Sequence, residues 1–268
     1  MWVFVVALLV SAPPPEPAPG GSIKELVSQL ATCQEMDCAA LRALVARGDK
    51  VWPELEVGLD DADEMVRFWT LGVLTEVPVA AARPRLIGLL GDPLVRIRAA
   101  TAFALGAQKT PEVVPPLVAA LADADVNVRF EAASALGRVP DARAVEALIK
   151  ASADEDEDVR RAACEALGNI KDERAQPVLV ERLSDRKAIV RGHAAIALGV
   201  MKGGGAVDAL IKRAGRERDA EALAAMTWAL GEIGDARARA VLETLTKHAA
   251  EVVRAQATEA LAKLPPAP

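Results

Sequence analysis

The sequence that decides the fold is a ten-residue segment that occurs twice in nearly the same form, as VRFEAASALG at residues 128–137 and as VRRAACEALG at residues 159–168. In its pattern, Val-Arg-x-x-Ala-x-x-Ala-Leu-Gly, the apolar residues are three or four positions apart, as on one face of an α-helix. The first position of this pattern occurs seven times, at Val66, Ile97, Val128, Val159, Val190, Ala222 and Val253. The interval is 31 residues throughout, except for 32 between Val190 and Ala222. The chain therefore contains seven repeats, which we number 1 to 7 in order.

Each repeat predicts two short amphipathic helices, so the fold class is all-α. A leucine lies eleven residues before the first position in six repeats, and Leu210 lies twelve residues before Ala222 in repeat 6. This leucine belongs to a first helix, and the ten-residue pattern forms the second. Aspartates that can cap helix N-termini precede several of the second helices, namely Asp63, Asp125, Asp156 and Asp219.

The repeats resemble the HEAT repeat family, specifically the short HEAT-like repeats of the phycobilisome-lyase type, over residues 50–266. Five repeats carry Asp and Arg six residues apart, as Asp61/Arg67, Asp92/Arg98, Asp123/Arg129, Asp154/Arg160 and Asp185/Arg191. The resemblance implies that these side chains form a ladder between neighbouring repeats, in a right-handed α-solenoid whose second helices line the concave surface. Repeat 6 has Glu217 and Leu223 at these positions, and repeat 7 has His248 and Arg254, so we expect the ladder to be interrupted there. Residues 22–49 predict a helical pair that caps the stack.

The first 21 residues differ from the repeats. We interpret residues 1–12, with an apolar run from Trp2 to Val10, as a signal peptide, and residues 13–21 as a Pro-rich linker. The run is too short to span a membrane. These features predict export to the periplasm or the extracellular space. No Lys or Arg precedes the run, and the location is cytoplasmic if the segment is not a signal.

Composition and charge argue against several functions. The chain has 268 residues, of which 52% are hydrophobic and only 3% aromatic, and its net charge is −6. A protein that binds nucleic acid needs clustered Lys and Arg in excess, so we expect no nucleic-acid partner. His193 and His248 stand alone, without a second ligand at metal spacing. The acidic run 154–158 lacks the glycine of a calcium loop, and we expect neither a metal nor a cofactor.

The three cysteines fall into two groups. Cys33 and Cys38 close a short loop between predicted helices, and in an exported chain they would form a disulfide, whereas in the cytosol they would remain two thiols. Cys164 occupies a position that is alanine in other repeats, which predicts a small buried residue.

The few aromatic residues are the candidates for a binding surface. Five of them lie in predicted second helices, at positions where other repeats carry charged residues, which predicts that these positions face solvent. We expect Phe68, Phe103 and Phe130 to form a stripe beside Trp69, and Glu131 to favour a basic flank on the partner. The predicted partner-binding residues are Phe68, Trp69, Phe103, Phe130, Glu131 and Trp228.

The sequence thus predicts a monomeric, non-enzymatic scaffold that binds a protein or peptide on its concave surface. It assigns no catalytic residue. The alternative is an enzyme of the HEAT-like kind, either a lyase or a hydroxylase, and nucleic-acid binding is the weakest possibility.

Overall fold

The computed structural model describes residues 21–35 and 38–266, and within them the chain is all-helical, with sixteen α-helices and no strand. The interpretation of residues 1–12 as a signal peptide and most of the predicted linker fall outside this part. The helices are Ile23–Gln29 (α1), Ala39–Val45 (α2), Trp52–Gly58 (α3), Glu64–Glu76 (α4), Arg83–Leu89 (α5), Val95–Ala107 (α6), Val114–Ala120 (α7), Val126–Arg138 (α8), Val145–Ala151 (α9), Glu157–Ile170 (α10), Gln176–Arg182 (α11), Ala188–Val200 (α12), Val207–Ala214 (α13), Ala220–Ile233 (α14), Arg239–Leu245 (α15) and Glu251–Lys263 (α16). Each repeat has the predicted pair, a short first helix and a longer second helix.

The chain forms two compact units, one that ends at Leu86 and one that begins at Ile87. The division differs from the boundary expected at residue 50, because α1 and α2 pack against α3 and α4 of repeat 1. In this N-terminal unit, Ser22 caps α1 through a reciprocal pair of hydrogen bonds with Glu25. A disulfide joins Cys33 to Cys38, where the chain passes from α1 to α2. The oxidised form of the two alternatives is therefore the one in the structure.

The C-terminal unit is a stack of repeats in which successive second helices, α6, α8, α10, α12, α14 and α16, pack side by side. Each of α7, α9, α11, α13 and α15 packs against the second helix of its own repeat. The close backbone approaches between repeats are those of the second helices, and these depend on small residues. A Cβ atom on Gly168 would lie 2.8 Å from the Cα of Ala197 in the next repeat, and one on Gly231 would lie 2.7 Å from the Cα of Ala260. No larger residue fits there without moving a helix.

The predicted Asp/Arg ladder is present in the C-terminal unit, with each arginine bound to the acid of the following repeat. Arg98 forms a bidentate pair with Asp123 at 2.8 and 2.9 Å, and Arg129 forms one with Asp154 at 2.8 and 3.0 Å. Arg160 and Asp185 pair in the same way. Within its own repeat, Arg98 donates to the main-chain carbonyl of Asp92, six residues earlier, and not to its carboxylate. Each of these ladder arginines thus stabilises the turn of its own repeat and forms an ion pair with the next repeat.

Arg67, the first arginine of the predicted ladder, lies in the N-terminal unit and binds the turn of its own repeat as Arg98 does. Its Nη1 donates hydrogen bonds to the main-chain carbonyls of Asp61 and Ala62, at 2.7 and 3.3 Å. These bonds therefore go to the backbone and not to the Asp61 carboxylate, which accepts from the backbone N–H of Asp63 at 2.8 Å. Arg67 and Asp61 thus stabilise the turn between α3 and α4. The role of Arg67 as a bond to the next repeat is not confirmed and stays a prediction.

The ladder aspartates also shape the turn before each second helix. Asp123 Oδ1 accepts a hydrogen bond from the backbone N–H of Asp125, which in turn caps α8. The hydrogen bonds from Arg98 are the main cause that lowers the pKa of Asp123 from its usual value. The carboxylate therefore stays charged and paired at neutral pH.

The expectation that the ladder is interrupted at the start of repeat 6 was wrong. Glu217 replaces the aspartate, and Arg191 binds it with two hydrogen bonds of 2.7 and 2.6 Å, while Arg213 adds a third at 2.7 Å. Burial alone would raise the pKa of Glu217, but these bonds and those from two backbone N–H groups lower it to about 2. Repeat 6 offers no arginine to repeat 7, since Leu223 stands at that position and is buried.

A second set of arginine contacts, not anticipated from the sequence, connects the turns that precede first helices. Arg143, Arg174 and Arg237 each bind the aspartate two residues earlier and donate to a carbonyl of the preceding repeat. The acceptors are Pro111, Ala142 and Gly204, at 2.7, 3.1 and 3.5 Å. These pairs are exposed and contribute less to stability than the half-buried ladder.

We predict that Arg129→Ala lowers the free energy of unfolding by about 1–3 kcal/mol, because Asp154 loses a charge-assisted, partly buried partner. Chemical denaturation followed by circular dichroism measures this loss. Lys150→Ala, an exposed change on α9, is the control and should leave the free energy nearly unchanged. If both variants unfold like the unchanged protein, the ladder does not stabilise the stack.

We also predict how the thiols react. Cys164 is buried, and burial raises the pKa of its thiol to about 12, so the native protein should expose no reactive thiol. Protein denatured without reductant should titrate one thiol, and three after reduction, because Cys33 and Cys38 are joined. Three thiols in denatured, unreduced protein from its native compartment would contradict the disulfide.

Candidate functional site

The candidate site is the solvent-facing side of the second helices in the C-terminal unit, which we call the second-helix face. Helical spacing brings four positions of each repeat to this face, those at −1, +3, +6 and +10 from the first position of the pattern. In repeat 3 they are Asn127, Glu131, Ser134 and Arg138, and all four are exposed or half-buried. Because the second helices pack side by side, these four-residue rows form one continuous surface.

Phe103, at position +6 of α6, is half-buried and has its ring covered by an arginine of the next repeat. The guanidinium carbon of Arg138 lies 4.5 Å from the ring centroid, and its Nη2 donates a hydrogen bond of 3.0 Å to the carbonyl of Phe103. Gly106 leaves room for this side chain, since a Cβ there would lie 2.6 Å from the same nitrogen. The cation–π contact and the hydrogen bond hold Phe103 in place at the surface.

Phe130, in the next second helix, has the same kind of cover. The guanidinium of Arg161 on α10 lies 5.5 Å from its ring centroid. Arg161 is itself held by two carboxylates of its own helix, Asp158 at 3.3 Å and Glu165 at 3.7 Å. Phe103 therefore lies in the row of α6, whereas Phe130, at position +2, lies beside the row of α8. Each ring is covered by an arginine of the next repeat.

Glu131 follows Phe130 on α8, close enough to Arg138 for their charges to interact, and has an unusual environment. Its carboxylate makes no hydrogen bond, and burial raises its pKa to about 7, against the opposing effect of the Arg138 charge. The equivalent residues of the two neighbouring repeats are Ala100 and Ala162, and alanine recurs in repeat 6 as Ala225, while repeats 5 and 7 carry His193 and Gln256. An unpaired half-buried carboxylate is costly where alanine would suffice, which favours a role in binding.

Trp228, the remaining predicted residue of this face, is half-buried on α14. Its ring packs on the preceding repeat, where a Cβ on Gly199 would lie 2.8 Å from its Cζ3 atom. Beside it, α12 carries two isoleucines that sequence reasoning missed, Ile189 and Ile196, which are 48% and 38% exposed. The sequence does distinguish these two isoleucines, because other repeats carry mostly polar or aromatic residues at the same positions.

Phe68 and Trp69 lie in the N-terminal unit and do not face solvent, so their predicted exposure was wrong. They are 7% and 4% exposed and pack edge to face, with ring centroids 4.9 Å apart. The indole Nε1 of Trp69 donates a hydrogen bond of 3.0 Å to the carbonyl of Cys33. The helical pair formed by residues 22–49 covers this side of α4, which the register of the repeats alone does not reveal.

The remaining polar candidates have structural contacts. His248 replaces the ladder aspartate, and its Nδ1 accepts from the backbone N–H of Ala250, while the Nδ1 of His193 lies 2.9 Å from the carbonyl of Ile189. In the acidic run, Asp154 binds Arg129 and Asp156 caps α10. Residues 21–35 and 38–266 contain no group of three or more His, Cys, Asp or Glu that could hold a metal ion. None of the helices in these residues combines the length and hydropathy needed to cross a membrane.

Solved structures with this architecture are similar in fold at low identity. The X-ray structure of the Escherichia coli protein YibA is 21% identical, with a TM-score of 0.63 over 92% of this chain and 99% of that chain. A chain of the CpcE–CpcF complex of phycocyanin lyase from Nostoc sp. is 22% identical, with a TM-score of 0.55 over 95% and 91%. Human deoxyhypusine hydroxylase is 23% identical over 90% and 96%, with a TM-score of 0.41. The similarities to YibA and to the phycocyanin lyase chain concern the fold alone.

Comparison with sequence families agrees with the repeat pattern. No match was found among curated protein sequences. The profile described as HEAT repeats matches residues 52–126, 83–156, 114–199, 145–230 and 183–262, so that its matches cover residues 52–262. The repeat length, the paired helices and this match agree, and the chain belongs to the HEAT repeats family.

Proposed function

We propose that this chain is a non-catalytic scaffold that holds a segment of a partner protein on the second-helix face. The observation that carries the proposal is Glu131, a half-buried carboxylate without a hydrogen bond that follows Phe130 on α8 and lies near Arg138, the arginine that covers Phe103. Groups that reduce stability where the fold does not need them are characteristic of functional surfaces. A cationic side chain of a partner would supply the missing partner for Glu131, and the edges of Phe103 and Phe130 would contact its apolar part.

We propose that the chain acts outside the cytosol, since the Cys33–Cys38 disulfide is favoured by an oxidising environment. The interpretation of residues 1–12 as a signal peptide supports the same proposal.

Site-specific photo-crosslinking tests the scaffold. We predict that a photo-reactive residue at Ser134, at position +6 of α8 on the second-helix face, forms an adduct with a partner protein in the native compartment. The same residue at Lys150, exposed on the first helix α9, is the control and should form no such adduct. Equal adducts at the two sites would contradict binding on this face. Stoichiometric iron in the purified protein would favour a hydroxylase-type enzyme instead.

The environment of Glu131 also predicts a pH dependence. Because its pKa rises on folding from 4.5 to about 7, the folded chain binds this proton more tightly than the unfolded chain. Its effect on stability is therefore most favourable below pH 4.5 and is lost as the pH rises through about 7. Glu131→Gln keeps a neutral side chain at every pH, so relative to this variant the unchanged protein should lose about 1–3 kcal/mol between pH 5 and pH 8.

Thermal unfolding of both proteins at the two pH values measures this difference. Ser134→Ala is the control, because Ser134 lies about one turn from Glu131 and its side chain does not titrate. This change should shift stability equally at pH 5 and pH 8. A Glu131→Gln variant whose offset from the unchanged protein is the same at both pH values would show that the carboxyl is freely solvated.

A further inference from the structure

We propose that the α12–α14 part of the second-helix face binds a cationic amphipathic segment of a partner protein, with apolar side chains on Ile189, Ile196 and Trp228 and Lys or Arg side chains on the carboxylates around them. This inference rests on the proposed function and specifies the chemistry of the partner.

The apolar part of this surface lies along α12, where three of the four residues in the row are apolar. The four residues of its row are Ile189, His193, Ile196 and Val200, none of them Asp, Glu, Lys or Arg. The two isoleucines are among the most exposed large aliphatic residues in the described part of the chain, and Trp228 lies on the adjacent helix. Exposed apolar patches with a polar rim mark interaction sites, and tryptophan is a frequent anchor in them.

The rim of this surface is acidic on both sides. The equivalent row of α10 carries Asp158 and Glu165, and that of α14 carries Glu221 and Glu232. These two rows contain no Lys or Arg. The bases near these rows are paired: Arg161 bridges Asp158 and Glu165, and Lys263 pairs with Glu232. Lys187, two residues before Ile189, pairs with Glu157. Glu221 is exposed at the first turn of α14. An apolar centre between acidic rows is complementary to apolar residues flanked by positive charge.

The dimensions suit a short helix. Ile189 and Ile196 are seven residues apart, which is about 10 Å along α12 at the usual helical rise. Neighbouring packed helices are about 8–10 Å apart, which separates the row of α12 from that of α14. A patch of this size accommodates the i, i+3, i+4 and i+7 side chains of one amphipathic helix.

Charge argues against the other occupants. Residues 1–20 of this chain contain one acidic residue and no Lys or Arg, so they lack the cations that the rim requires. A second copy of the chain carries a net charge of −6, so it would be repelled by the acidic rim. Phosphates of a nucleic acid or of lipid headgroups would meet the same repulsion.

Two synthetic 14-residue peptides test the proposal on the full chain. One has Leu on one helical face and Lys on the other, and the second has Glu in place of every Lys. We expect the Lys peptide to bind and to shift the methyl resonances of Ile189 and Ile196 in isoleucine-labelled protein. We expect the Glu peptide to bind at least tenfold more weakly. Equal affinity for the two peptides overturns the proposal.

Matched variants locate the binding surface. Ile196→Gln and Ile87→Gln change two isoleucines of the same exposure, 38% and 37%, but only the first lies on the second-helix face. Likewise, Glu221→Lys and Glu243→Lys reverse two exposed charges, on α14 and on the first helix α15. We expect Ile196→Gln and Glu221→Lys to weaken the Lys peptide at least fivefold and their controls to leave it unchanged. Equal effects of a variant and its control contradict the assignment. Dimerisation of the unchanged protein that Ile196→Gln abolishes would also contradict it, because the surface would then bind a second copy of the chain.

The outcome can be separated from that of the scaffold test. A partner adduct at Ser134 combined with peptides that bind regardless of charge would overturn this inference alone. The absence of any adduct at Ser134 would overturn the proposed function, on which the inference depends.

Discussion

The close contact between neighbouring second helices is the constraint on which the C-terminal unit depends. A glycine of one repeat lies against an alanine of the next at a distance that leaves no space for a Cβ atom, as at Gly168 and Ala197. This contact sets the distance between repeats, and with it the reach required of every other inter-repeat bond. The guanidinium of each ladder arginine bridges that distance. In Arg160 it donates to a carbonyl of its own turn and to the carboxylate of Asp185 in the next repeat.

Repeat 6 shows how the ladder adapts to a change in length. Its first helix is one residue longer than those of the other repeats, and the acid follows Arg191 by 26 residues where the equivalent separation elsewhere is 25. A glutamate takes the acid position, and the buried carboxylate attracts a second arginine from α13. The absence of the ladder aspartate from repeat 6 is therefore a substitution by Glu217 that keeps the ion pair with Arg191.

The repeats, their two helices and the ladder of the C-terminal unit were predictable, because each follows from a periodicity that recurs along the chain. Exposure was harder to predict, since it depends on which neighbour covers a position. Phe68 occupies the same position as Phe130, yet Phe68 is buried in the N-terminal unit, whereas Phe130 is half-buried with an arginine over its ring. The arginine covers on Phe103 and Phe130 come from the following repeat and have no signature within one repeat. The isoleucines of α12 are recognisable in the sequence, because most other repeats carry polar or aromatic residues at the equivalent positions.

The uniformity of these contacts has an evolutionary consequence. In repeats 3, 4 and 5 the first position recurs every 31 residues, and each repeat offers an arginine to the next and accepts one from the previous repeat. Deleting or duplicating one such segment would join a repeat to a neighbour of the same chemistry, so that no new interface would have to arise. Unequal recombination between these segments of the gene can therefore change the length of the stack in whole repeats, while the rows of the second-helix face diverge one residue at a time.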